Sequence, residues 1–199
     1  DRAGRNWACG SLEPVRLRDT AAELAGLSLA PPAAALRPAT AEVLARFDNP
    51  DKSPAIVCNR YGSGACGVGL VQGFGFKKGA IASSVAHDAH NLIAAGTSDH
   101  ELMKAINVVI QMRGGMAAVA GDKEVSLPLD CGGLMSSLPY ADVAARLQEL
   151  QSFTRSMGGI DDPFMYLSFL SLTVIPSLRI TDRGIFDTAE FRDVPLFVT

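Results

Sequence analysis

Short apolar runs separated by glycines set the pattern of this chain. Residues 55–58 (Ala-Ile-Val-Cys) and 67–71 (Gly-Val-Gly-Leu-Val) read as buried strands, with a glycine-rich turn at 62–67 between them. A run ending at Gly75-Phe76, the turn Lys77-Lys78-Gly79 and a run beginning Ala80-Ile81-Ala82 predict a hairpin. Leu92-Ile93-Ala94-Ala95 predicts one more strand. Ser98-Asp99-His100-Glu101 has capping-box spacing: Ser98 would receive the Glu101 amide, and Glu101 would reach back. Leu102, Ile106, Val109 and Ile110 then make one helical stripe, which Gly114-Gly115 stops. Met103 and Met112 read as core filler, and His100 as a solvated first-turn residue.

Residues 116–120 and 124–129 flank Gly121-Asp122-Lys123 as a second hairpin. A loop follows at 130–137. Val143, Leu147 and Leu150 mark a second helix, with Pro139 in its first turn and Gly158-Gly159 at its end. Residues 164–170 are apolar all round and fit either helix or strand. The proline makes 174–176 and 178–181 edge-strand material, and Asp182-Arg183-Gly184 turns the chain into a short tail. Hairpins and helices in this order predict an α+β fold: a mainly antiparallel β-sheet with two or more packed helices and no barrel. Residues 1–50, rich in Ala and Pro, read as an arm or linker with short helical pieces near 19–27 and 40–47. Residues 51–199 read as the domain proper.

Composition narrows the function classes. With 199 residues, 48% of them hydrophobic, the chain can bury one sizeable core. A net charge of −3 and a pI near 5.6 leave no electrostatic footprint for nucleic acid or an anionic membrane. No apolar run approaches the roughly 20 residues of a membrane span. The start at Asp1 lacks both Met and a signal-peptide core, as expected of a fragment or processed piece. Cys9, Cys58, Cys66 and Cys131 have no metal-type spacing and are expected to be reduced, mostly buried thiols of a cytosolic protein.

Candidate chemistry is concentrated in a polar knot at 83–91, Ser83-Ser84-Val85-Ala86-His87-Asp88-Ala89-His90-Asn91, between two apolar runs. It holds two of the three histidines of the chain. Loops held between core strands are common places for binding groups. A metal reading of His87-Asp88-Ala89-His90 needs further ligands from Asp99, His100 or another loop, and no complete set is visible. A structural reading has His87 and Asp88 satisfying backbone groups around a tight loop. Gly62-Ser63-Gly64-Ala65-Cys66-Gly67 matches G-x-G-x-x-G formally. It opens a strand instead of the helix that pyrophosphate binding requires, so a turn is expected there.

GFGFKKGAIASSVAHDAHN at 73–91, LPL and GLM further on, and DDPFMYLSFL at 161–170 resemble the C-terminal domain of bacterial adenine deaminase, in the amidohydrolase superfamily. The resemblance covers roughly residues 55–197. It implies a hydrolase of purine metabolism that converts adenine and water to hypoxanthine and ammonia, in the cytoplasm. It also implies a divalent metal, manganese or iron, held outside this chain. The partner it implies is an adenine-binding barrel domain of the same enzyme, and homo-oligomerisation stays open. With three histidines and no His-x-His pair, this chain lacks the superfamily's metal ligands, so alone it is expected to be inactive and to contain no catalytic residue. On this resemblance Ser83, Ser84, His87, Asp88, His90 and Asn91 would line or close the mouth of a purine pocket. The alternative is a free-standing interaction or small-ligand module of the same fold.

Overall fold

The computed structural model describes residues 52–198 and the short strand segments 14–15 and 17–18. Six strands form an open, antiparallel sheet: β1 (Lys52–Cys58), β2 (Cys66–Gln72), β3 (Ala80–Ser83), β4 (Leu92–Gly96), β5 (Gly115–Ala120) and β6 (Lys123–Pro128), in the order β2-β1-β4-β3-β5-β6. Pro14–Val15 pairs with the outer edge of β2, and Leu17–Arg18 lies parallel to Phe197–Val198. The helices among the described residues are α1 (Asp99–Gln111), α2 (Tyr140–Ser156) and α3 (Pro163–Phe169). A second antiparallel sheet joins β7 (Leu178–Thr181), β8 (Gly184–Asp187) and β9 (Arg192–Val194) in the order β9-β8-β7. This is the expected α+β fold with no closed barrel.

The central strands read as unbroken apolar runs because both faces of the sheet are covered. Successive side chains alternate between faces. Ala55, Val57, Ile81, Ile93, Ala95 and Ala118 join one core with Leu150 and Met157 at the end of α2, Phe164 and Leu167 of α3, and Ile180 and Ile185 of the small sheet. Ile56, Ala80, Ala82, Ala94 and Ala117 face the other way, onto Leu102, Ala105, Ile106 and Val109 of α1. The alanines on that face leave room for α1 to lie close to the sheet. Pro54 is tolerated in β1 because the ladder to β4 begins only at Ala55.

Two glycines in β2 seat the small sheet. A Cβ on Gly69 would stand 2.7 Å from Ile180 Cδ1, and one on Gly67 would collide with the Thr181 carbonyl and the Gly184 amide. Nearby, the buried Arg179 gives hydrogen bonds to the carbonyls of Ile175, Pro176 and Leu178, which ties down the approach to β7.

Several expectations change. The hairpin across Lys77-Lys78-Gly79 does not form: β3 pairs with β4 and β5, and β2 pairs with β1. Phe74 and Phe76 are pulled from strand geometry into the core, where their rings stack 5.4 Å apart. Residues 164–170 resolve almost wholly into α3, entered through Pro163. Residues 174–176 form no strand, whereas 178–181 do. The tail after Gly184 builds β8 and β9. Ile110 is 58% exposed, and the α1 stripe is completed by Ala105 and Val108 instead. Cys58 and Cys66, expected as reduced thiols, sit opposite each other across the β1–β2 ladder, 4.2 Å apart at Cα, and are joined as a disulfide. Cys131 is free and exposed, not buried. The helical pieces near 19–27 and 40–47 lie outside the described residues.

The capping box forms by half. Ser98 Oγ accepts the Glu101 amide at 3.3 Å, but Glu101 Oε1 accepts the N–H of Gly121 at 2.9 Å instead of reaching back. The β5–β6 turn presents an amide that competes successfully for that carboxylate, and Lys104 Nζ donates to the Gly121 carbonyl at 2.5 Å beside it. Ser98→Ala is therefore expected to cost about 1 kcal/mol by loss of the cap. The measurement is chemical denaturation: the midpoint should fall at constant m-value, and an unmoved midpoint would show that the cap contributes nothing.

Candidate functional site

The knot is the loop of the β3–β4 hairpin. Ser83 and Ser84 close it at the β3 end and are spent on the main chain. Ser83 Oγ accepts the Val85 amide at 2.9 Å. Ser84 Oγ accepts the Gly115 amide at 2.8 Å and donates to the Gly133 carbonyl at 2.5 Å, while its own N–H donates to the Gly115 carbonyl at 3.0 Å. Both side chains are fully buried, and these bonds shape the loop.

The tip is different. His87 is half-buried, its ring 5.1 Å from Phe169 and edge-on to His90 at 5.7 Å. Its main chain is anchored to the end of α3, the N–H donating to Ser168 at 2.9 Å and the carbonyl accepting from the Ser171 hydroxyl at 3.1 Å. Asp88 is exposed. His90 closes the turn with its N–H on the Ala86 carbonyl at 2.6 Å, and its φ of +49° is left-handed. His90 Nδ1 and Asn91 Oδ1 are buried without a hydrogen-bond partner. Buried polar atoms are costly to leave unpaired.

Two residues that the sequence did not single out, Arg60 and Tyr61, and the 130–137 loop complete the site. Arg60 and Tyr61, in the β1–β2 loop, reach the knot: Arg60 Nε donates to the His90 carbonyl at 2.6 Å, and the Tyr61 hydroxyl donates to the Ala89 carbonyl at 2.8 Å. The 130–137 loop packs beneath, with Arg60 Nη2 on the Gly132 carbonyl at 2.8 Å. That loop is clasped by Asp130, whose carboxylate accepts both the hydroxyl and the amide of Ser137, at 2.6 and 2.8 Å. These bonds hold the Asp130 carboxyl below its ordinary 3.8. The clasp is thus complete above that value and is released as pH falls through the lowered one. A cation followed by an aromatic at the mouth of a Gly-Ser-Gly turn was the available signal for the first pair. The three stretches 83–91, 133–135 and 161–170, separate in sequence, meet at this one place.

A family model described as adenine deaminase C-terminal domain matches residues 36–192. The chain belongs to that family. An adenine deaminase of Methanoregula boonei is 61% identical over 142 residues, covering 71% of this chain and 25% of the relative. One of Methanoculleus marisnigri is 52% identical over 143 residues, covering 72% and 28%, and one of Geobacillus kaustophilus is 44% identical over 144 residues, covering 71% and 25%. The chain spans about a quarter of the length of these curated relatives.

Within this adenine deaminase C-terminal domain, the knot does not make a metal donor set. Among the described residues no three His, Cys, Asp or Glu side chains converge as ligands. Asp99 and His100, the remaining ligand candidates, line a separate open groove on α1 with Met103, Lys104 and Glu124. No helix among the described residues is long and apolar enough to cross a membrane.

Proposed function

We propose that this chain is the C-terminal part of a cytoplasmic adenine deaminase, which adds water at the purine carbon bearing the amino group and releases ammonia, leaving hypoxanthine. Family membership at a quarter of the relatives' length carries the reading. In it, the divalent metal, manganese or iron, is held by a barrel domain outside this chain, and the chain's own residues contribute no step of hydroxide formation.

The knot faces the mouth of that barrel. His87, Asp88 and His90 supply the polar wall, while the buried Ser83, Ser84 and Asn91 lie beneath it. A purine edge offers both donors and acceptors, which imidazole groups can meet. The half-buried His87 and His90 are open to a ligand at the tip, and the exposed Tyr61 and Met135 give the barrel an apolar rim to cover. Positioning the base and excluding bulk water are the effects expected of such a wall. A homo-oligomer is compatible with this arrangement.

The test compares the complete enzyme with this chain alone. The complete enzyme is expected to convert adenine to hypoxanthine; the isolated chain is expected to release no ammonia and to carry no stoichiometric metal by elemental analysis. Metal-dependent ammonia release by the isolated chain would overturn the division of labour. A complete enzyme silent on adenine would return the domain to the reading of a non-catalytic ligand or interaction module.

A further inference from the structure

Arg60 lies outside every motif that marks the family resemblance, yet it joins the knot to the 130–137 loop. A guanidinium used for recognition commonly places its planar fork on a carboxylate or phosphate. Here Nε takes the His90 carbonyl at 2.6 Å and Nη2 takes the Gly132 carbonyl at 2.8 Å, two loops 42 positions apart in sequence. The guanidinium carbon stands 5.1 Å from the centroid of the Tyr61 ring, whose hydroxyl holds Ala89. The joint is tight: a Cβ on Gly133 would stand 2.6 Å from Arg60 Nη1 and 3.2 Å from Ser84 Oγ.

The joint acts on His90. A β-carbon disfavours a φ of +49°, and such a state persists only where the surroundings over-determine it. Arg60 holds the His90 carbonyl and Ala86 holds its N–H, so the main chain is fixed on both sides. The imidazole keeps only its own torsions, with Nδ1 buried and unpaired, and the orphan Asn91 Oδ1 follows on the next residue. Charge strengthens the hold, and a lysine could not reach both loops with one planar group.

We propose that Arg60 is a positioning residue for adenine: through the main chain of His90 it sets where the His90 imidazole stands against the purine. This rests on the reading that the knot works at the pocket mouth. Steady-state kinetics of the complete enzyme test it, using Arg60→Ala, Arg60→Lys, His90→Ala and the Arg60→Ala/His90→Ala pair. Arg60→Ala should lower kcat/KM for adenine about 10–100-fold at an unchanged melting temperature, with Arg60→Lys recovering only part. Guanidinium ion, added far below denaturing concentration, should restore turnover to Arg60→Ala and not to His90→Ala. The Arg60→Ala loss should also vanish in the His90→Ala background.

Wild-type turnover in Arg60→Ala overturns the inference. So does a loss that follows the melting temperature and ignores guanidinium, or losses that simply add in the double variant. If His90→Ala and His87→Ala both turn over adenine normally, the pocket-mouth reading fails instead, which separates the two.

Discussion

In the complete enzyme, His87→Ala and His90→Ala are each expected to lower adenine turnover on the order of 100-fold, with melting temperature and metal content held. The expectation follows from how the two residues are fastened. His87 is tied down by its N–H to Ser168 and its carbonyl to Ser171, and His90 by its N–H to Ala86 and its carbonyl to Arg60. Every one of those bonds is made by the main chain and survives truncation to alanine. What is removed is the pair of imidazoles, edge-on at 5.7 Å and facing a half-open tip. Turnover, melting temperature and metal content have to be measured on the same preparations. A fall in melting temperature with near-normal turnover would make the knot scaffold. Loss of metal together with turnover would put the knot in the metal centre, against the absence of a convergent donor set among the described residues. Asp88→Ala should have the smaller effect, because that side chain is exposed.

Gly67→Ala is expected to be the most damaging single methyl addition argued from this fold, costing about 3 kcal/mol, at the upper end of ordinary overpacking. The new Cβ would land on the Thr181 carbonyl and the Gly184 amide, which are backbone and cannot swing aside as a side-chain tip would. Thr181 and Gly184 flank the β7–β8 turn, so the strain would push the small sheet off β2 and loosen Ile180 and Ile185 from the core. Against a total stability of about 5–15 kcal/mol, that is a large fraction. Thermal melting of this chain should show a midpoint lower by about 6–12 °C. A midpoint equal to wild type would mean that the small sheet does not press on β2 in solution.

The knot was legible in sequence because it breaks a local rule. A turn between two apolar strands needs only Gly, Asn or Asp, and two imidazoles with a carboxylate in four residues exceed that need. Its supports were not legible. Arg60 is 30 positions from His90, and nothing in its neighbourhood announces the contact. Nor could a sequence say that Ser83 and Ser84 face inward while the histidines face the tip, since that division depends on which loop arrives at Gly115 and Gly133.

What the sequence by itself determined were the local elements: strands from apolar runs, the Ser98 cap, the hairpin around Gly121, the helix ending at Gly158-Gly159 and, through its resemblance, the family. These depend on residues within a few positions of one another, where propensity and hydrogen-bond reach act directly. Only the tertiary structure decided the pairing order β2-β1-β4-β3-β5-β6, the absorption of Phe74 and Phe76 into the core, the helical state of 163–169, the diversion of Glu101 to Gly121 and the Cys58–Cys66 link. Each of these is a competition between partners distant in sequence. Burial and hydrogen-bond satisfaction are won by whichever group the completed fold brings nearest, and that distance is not written in any short stretch of the chain.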